Sequence, residues 1–355
     1  MSDNQPPETQ KPEADESGPG ALTLGQRFRQ PQTLISFLFA VVIIAFLVLR
    51  LDIDPGDVWN EIRNANPWLF LSGLIVYYGG FLLRVFRWRW MLTRAGLTPQ
   101  HDVYLPGNNG LLKIMLLAWF ANCVVPAKLG DVYRGFLLKQ RSGAPFTTTM
   151  GTIAAERLID LVVLVVLLVS SGVVVFGRHF PSGASTVLTY GGATVLAGVL
   201  AVVVAWLFRD SVLRRMPARF TGHFERLQQG FFVNLKSPWR SVLISIVVWS
   251  AEGFRFFFVA WSLGSVLPMS TALFIALLSS MATVSPLSPA GLGVVEALVI
   301  SILPLVGVTG DSAAAIAILD RVISYMSLIV VGLPLYVIHM RGDVAGAHRL
   351  PTSPT

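Results

Sequence analysis

The residues with the most chemical potential are ionisable ones set inside or beside apolar segments. Glu156, Arg157 and Asp160 stand immediately before the charge-free run 161–176. Glu156 and Asp160 are four apart and share a helix face. Asp320 and Arg321 lie near the start of the apolar segment 312–340, Glu252 and Arg255 are three apart in 241–264, and Glu296 follows a Pro/Gly cluster. On insertion scales such a residue at the centre of a membrane helix costs about 2.5–3.5 kcal/mol. Each acid has an Arg candidate nearby, so two readings stand. The charges are structural ion pairs that hold the segments together, or they line a polar cavity for an amphiphile's charged headgroup. Arg suits phosphate because its planar fork binds two oxygens at once.

Two Pro/Gly clusters interrupt apolar regions. Pro126-Ala127-Lys128-Leu129-Gly130 ends the region 111–126, and Pro289-Ala290-Gly291-Leu292-Gly293 divides 270–306. Broken helices leave amide and carbonyl groups free to meet ions. Asp131 and Arg134 follow the first cluster, and Asn122 precedes it, placed to hydrogen-bond unwound backbone. Gly130 and Gly291 are expected to let the backbone approach a headgroup. The candidate binding and translocation residues are therefore Asn122, Pro126, Gly130, Asp131, Arg134, Glu156, Arg157, Asp160, Pro289, Gly291, Gly293, Glu296, Asp320 and Arg321. Other signals carry less. Arg87-Trp88-Arg89-Trp90 reads as an interfacial anchor. Asp52-Ile53-Asp54 has the form of a sugar-nucleotide motif but sits in a short loop with no nucleotide domain. The histidines show no metal spacing, and there is no P-loop or dinucleotide fingerprint. No nucleophile stands with a base, so neither a cofactor nor an enzyme activity is expected.

The elements that must position these residues follow from composition. The chain has 355 residues, 54% hydrophobic and only 13% charged, with a mean hydropathy of +0.64. Soluble domains carry about 25% charge, so a soluble enzyme is excluded, as is disorder for the bulk of the chain. The net charge of +7 then marks a cytoplasmic face rather than a nucleic-acid partner. Cys123 is the sole cysteine, which rules out an intrachain disulfide.

Segments long enough to cross a bilayer are 32–49, 67–86, 147–176, 186–208, 241–264 and 312–340. With the N-terminus inside, 19 Lys and Arg fall in inner loops and 3 in outer ones, which places both termini in the cytoplasm. Residues 1–25 form a disordered tail, 26–340 the membrane domain and 341–355 a short second tail. The outer loop 50–66 predicts a short amphipathic helix. The region 111–126 has basic flanks at both ends, which favours a re-entrant hairpin over a full crossing.

The chain also matches itself. The two Pro/Gly clusters are related by an offset of 163, and Glu156-Arg157-Leu158-Ile159 resembles Asp320-Arg321-Val322-Ile323 at 164. Arg84, Phe86, Trp90 and Leu92 align with Arg255, Phe257, Trp261 and Leu263 at 171. This gives repeat A over about 67–178 and repeat B over about 241–340, joined by the helix 186–208 and the basic loop 209–240. The charge tally makes the repeats inverted. The expected fold is all-α and polytopic, with about six full spans and two broken hairpins, and with a site between the repeats.

Asn122…Pro126…Gly130-Asp131…Arg134, Glu156-Arg157…Asp160, Ser288-Pro289-Ala290-Gly291-Leu292-Gly293…Glu296 and Arg321…Tyr325 resemble the lysylphosphatidylglycerol synthase transmembrane-region family, also called flippase-like. The resemblance covers about residues 30–340. It implies a multi-pass plasma-membrane protein related to the domain that moves aminoacylated phosphatidylglycerol between leaflets. It also makes Asp131, Arg134, Glu156, Arg157, Glu296 and Arg321 the site. Two features depart from the pattern: only 15 polar residues follow Met340, where the synthases have a soluble aminoacyl-transfer domain, and Ala290 replaces a frequent Gly. The expectation is a flippase for an anionic or zwitterionic lipid, or a lipid-linked saccharide, with membrane lipids as partners and no nucleic acid. The rivals are an accessory subunit of a lipid-synthesis or glycosyltransfer enzyme, and a membrane-bound lipid-head transferase.

Overall fold

The computed structural model describes residues 54–124, 129–177, 218–283 and 289–347. The expected spans 32–49 and 186–208, the tail 1–25, Pro126 and most of 341–355 lie outside the described residues. Every regular element among the described residues is helical, as the apolar periodicity requires.

Helix α1 (Pro55–Arg63) is the amphipathic helix expected in 50–66; Asp54 caps it by accepting the Gly56 N–H at 2.7 Å, with Pro55 at the first helical position. Helix α2 (Pro67–Arg94) has 28 residues and is capped by Asn66. At about 1.5 Å per residue it exceeds the roughly 30 Å of a hydrocarbon core. Among the described residues, four helices are long and apolar enough to cross a membrane: α2, α5 (Phe146–Phe176), α7 (Trp239–Ser262) and the final one, apolar over Gly310–Arg341. That last helix is not uniform. It runs as α10 (Gly310–Arg321), a π-helical segment Val322–Met326, and α11 (Ser327–Ala347).

The two Pro/Gly clusters separate shorter helices. The first lies between α3 (Asn108–Val124) and α4 (Gly130–Ser142). The second lies between α8 (Met269–Ala282) and α9 (Val294–Ile302), with Pro289–Gly291 in a 3-10 turn. The longest of these four has 17 residues, about 26 Å, short of a full crossing. Each pair is thus a broken hairpin. The basic segment 209–240, expected as a loop, contains α6 (Ala218–Leu235), which packs along the start of α5. Its loop-like charge content had hidden a helix held by tertiary contact.

The structure corrects the repeat register. Helices α2 and α7 end on the same bonds. Ala95 and Leu263 N–H donate to Leu92 and Ala260 O, Gly96 and Gly264 to Thr93 and Trp261 O, and Leu97 and Ser265 again to Leu92 and Ala260 O. Gly96 and Gly264 take φ of +85° and +78°, which glycine tolerates without strain. Every one of these pairs is 168 apart, not 171. The offset falls to 163 at the hairpins because the α2–α3 connection is longer than the α7–α8 one. At 168, Arg87 corresponds to Arg255, and Arg84 to Glu252.

Candidate functional site

Two charge clusters form at repeat-related places. In the first, near the α6 end of the bundle, α2 supplies Arg87, α4 Arg134, α5 Glu156 and Asp160, and α7 Ser245. Arg87 donates to Glu156 Oε1 at 2.8 Å and forks onto both Asp160 oxygens at 2.5 and 2.9 Å. Arg134 donates to Glu156 Oε2 at 2.7 Å and stacks over Trp88 at 3.8 Å. Ser245 Oγ donates to Asp160 Oδ1 at 2.8 Å. Arg87 is completely buried and Glu156 is 2% exposed. Arg157, on the adjacent face of α5, turns away from Glu156. It grips Asp131 of α4 with two bonds of 2.7 Å. This bidentate pair is the accessible one, with side chains 41% and 26% exposed.

The second cluster, toward the α1 end, repeats the plan. Arg255 of α7 pairs with Asp320 of α10 and with Glu252 at 3.1 Å, one turn back on its own helix. Glu252 also receives Arg84 of α2 at 3.0 Å, so two repeat-equivalent positions meet each other across the α2–α7 contact. Arg321 pairs with Glu296 at 2.9 Å. Glu296 in turn accepts the Gly293 N–H at 2.6 Å, and Arg321 donates to the carbonyls of Ala290 and Gly291 at 3.4 and 3.3 Å. Each cluster, taken with its hairpin pair, holds three guanidinium groups and three carboxylates, a balance that permits burial.

Residues singled out in the sequence brace the described part of each hairpin turn. Asn122 Oδ1 accepts the Gly130 N–H at 2.8 Å. A Cβ on Gly130 would lie 2.1 Å from the Ala118 carbonyl oxygen, and one on Gly291 2.9 Å from Thr283 Cα. These glycines therefore close the hairpins on themselves, rather than leave room for a headgroup as expected. Tyr325, inside the π segment, donates to the Cys123 carbonyl at 3.2 Å. It thereby ties the end of α3 to repeat B.

Ala290 holds φ +50° and ψ +23°, the left-handed region that costs a residue with a Cβ about 1–2 kcal/mol. Ala290→Gly is expected to raise stability by about 0.5–1 kcal/mol, since the relief outweighs the added chain entropy. Gly291→Ala, at φ +70° and against Thr283, should lower it by about 1–3 kcal/mol. Thermal unfolding of both variants in one detergent checks the opposite signs.

Several residues of these clusters were absent from the sequence-derived set: Arg84, Arg87, Ser245, Glu252 and Arg255. The reading of Arg87 as an interfacial anchor is wrong, because the side chain points into the bundle. The signal was present. Gly73, Tyr77, Gly80, Arg84, Arg87 and Met91 succeed one another at steps of three and four and are all buried, which is one helix face. No group of three His, Cys, Asp or Glu suited to a metal occurs among the described residues. A cavity of about 540 Å³ lies elsewhere, between α1, the end of α7 and the start of α10; Asp57, Glu61, Asp311 and Ser262 are in its lining.

Comparison with known proteins gives the family. The family described as lysylphosphatidylglycerol synthase TM region matches residues 34–332. The UPF0104 membrane protein MJ1078 of Methanocaldococcus jannaschii is 33% identical over 220 residues, which cover 62% of this chain and 94% of that protein. The inner membrane protein YbhN of Escherichia coli is 23% identical, covering 88% and 93%. The glycosyltransferase AglD of Haloferax volcanii is 25% identical over 88% of this chain but only 55% of its own length. An all-α integral membrane protein with two broken hairpins and paired intramembrane charges, this chain belongs to the lysylphosphatidylglycerol synthase TM region family.

Proposed function

We propose that the protein moves a lipid with an anionic or zwitterionic headgroup, a phospholipid or a lipid-linked saccharide, between the leaflets of the plasma membrane. The observation that carries this reading is the duplication of one charged device. In each repeat, an acid in the first turn after a broken hairpin pairs with an arginine of the repeat's last helix. Broken helices at equivalent places and ionisable residues within spans are the marks of a translocation path. Arg157, bidentate and accessible, is the residue that would meet the phosphate. The reading involves no bond making and no cofactor. Arg94, Lys139, Arg141, Lys236 and Arg240 gather at the α6 end, and Asp54, Asp57, Glu61 and Asp311 at the α1 end. This supports a cytoplasmic α6 end with both termini inside.

The test is leaflet translocation in proteoliposomes of labelled phosphatidylglycerol, its aminoacylated form and a polyprenyl-linked sugar. Movement of one of them, reduced at least about tenfold (some 1.4 kcal/mol in the barrier) by Arg157→Ala, is the expected result. No movement of any of them by folded protein counts against the reading. The similarity to AglD favours a second one, a membrane subunit beside a glycosyl-transfer enzyme. Co-purification of one such enzyme in fixed ratio would support it.

A further inference from the structure

Asp131–Arg157 and Glu296–Arg321 are built alike. Each joins the first turn of the helix after a hairpin to the arginine that comes after the acid of Glu156-Arg157 or Asp320-Arg321. Their surroundings differ. The side chains of Arg157 and Asp131 are 41% and 26% exposed, those of Arg321 and Glu296 only 11% and 10%. Lipid chains cannot solvate an ion pair, so the exposed pair must face water or headgroups. Chemistry does not explain the difference, since both pairs join Arg to a carboxylate. The backbone also differs at one place. Helix α5 is regular through Arg157, from Phe146 to Phe176, whereas the final helix turns π-helical directly after Arg321, at Val322–Met326. A π segment holds one residue more than the α-helix it replaces, and such insertions are common at functional sites. Returning it to α-helix would rotate α11 by about 100° relative to α10 and shift it by about 1.5 Å. Tyr325 lies in this segment and reaches across to Cys123 of repeat A, so the change would be felt in the other half.

We propose that access to the two pairs alternates: this structure is the state open at Asp131–Arg157 and sealed at Glu296–Arg321, and the π segment Val322–Met326 is the element that rearranges when they exchange. The seal is the set of bonds from Glu296 and Arg321 to the turn at Ala290–Gly293. The α2–α7 contact joins the two halves, with Arg84 bonded to its repeat equivalent Glu252. The proposal rests on the transport reading but is tested without a lipid substrate. A failed translocation assay therefore leaves its outcome independent.

Leu129 and Leu292 are equivalent, half-buried residues of the two turns, and Cys123 is buried. In a Cys123→Ala background, Leu129→Cys and Leu292→Cys are made separately and reacted in proteoliposomes with a membrane-impermeant maleimide from each side. Leu129→Cys should react faster, from one side, and Leu292→Cys slowly, from the other. Adding Glu296→Gln should raise labelling at 292 about tenfold, which corresponds to about 1.4 kcal/mol of lost closure, and lower it at 129. A rise at 292 with no fall at 129, or no change at either, overturns the proposal. Should Glu296→Gln lose its monodisperse elution, Arg321→Lys decides by the same criteria. Lysine keeps the charge but not the fork that reaches Glu296 and the two carbonyls together.

Discussion

Glu156→Gln is expected to destabilise the folded protein by about 3–5 kcal/mol, because two buried guanidinium groups share that carboxylate and one loses its only acid. Among the described residues Arg134 makes its charged bonds to Glu156 alone, while Arg87 keeps Asp160. Domains hold only about 5–15 kcal/mol in total, so thermal unfolding in detergent should show a large drop, with reduced membrane yield. The cause can be isolated. Glu156→Met combined with Arg134→Met removes the carboxylate together with the guanidinium that its loss would orphan, and leaves Arg87 to Asp160 as a one-to-one pair. The double variant should recover most of the loss, as buried pairs replaced whole by apolar residues often do. If it is no better than Glu156→Gln, the defect lies in packing and not in charge.

The same experiment separates the two readings of the intramembrane charges. Asp131→Asn breaks a pair that is partly exposed, for which solvent screening leaves about 1 kcal/mol or less. If the accessible pair binds headgroups and the sealed cluster holds the bundle, the two variants fail in different ways. Asp131→Asn unfolds near the wild-type temperature but loses transport, whereas Glu156→Gln loses stability. A stable, fully transporting Asp131→Asn would move the binding site away from the pair.

Much of this was legible in the sequence, and the reason is physical. Spans announce themselves by length and hydropathy, and the hairpins by Pro and Gly, because both are local. Asn122 could be placed against unwound backbone since its partner, Gly130, is eight residues away. The pairing of charges was legible only where it is local, as for Glu252 and Arg255 three residues apart. Glu156 and Arg157 are neighbours, yet they take different partners, Arg87 and Arg134 for the one and Asp131 for the other, since successive residues on a helix point about 100° apart. Arg87 in an Arg-Trp-Arg-Trp run looked like an anchor because tryptophan and arginine are typical of interfaces. Only the register of α2 as a whole shows which arginines face inward. The repeat offset was read three residues too long because chance matches of aromatic residues outweighed the shared helix ends at Gly96 and Gly264. A capping bond lies in the backbone, where sequence comparison does not look.

The helix within 209–240 escaped for a related reason, and it yields the second large effect. Helix α6 touches α5 where two glycines face each other's backbone. A Cβ on Gly151 would lie 2.1 Å from the Leu227 carbonyl oxygen, and one on Gly230 2.2 Å from that of Thr148. Neither obstacle is a side chain that can rotate away, so a single methyl must push the helices apart. Arg94 donates to the Val233 and Ser237 carbonyls, and Asn234 donates to that of Met91, so α6 also fastens the end of α2. Gly230→Ala and Gly151→Ala should each cost about 1–3 kcal/mol, seen as a lower unfolding temperature and earlier proteolysis within 218–235. The double variant should cost clearly less than the sum. Once one methyl has opened the crossing the second finds space, and sites in contact are not additive. Full additivity would mean that the two contacts yield separately. A close backbone approach through two glycines adds nothing to hydropathy, so this part of the packing left no mark that hydropathy could detect.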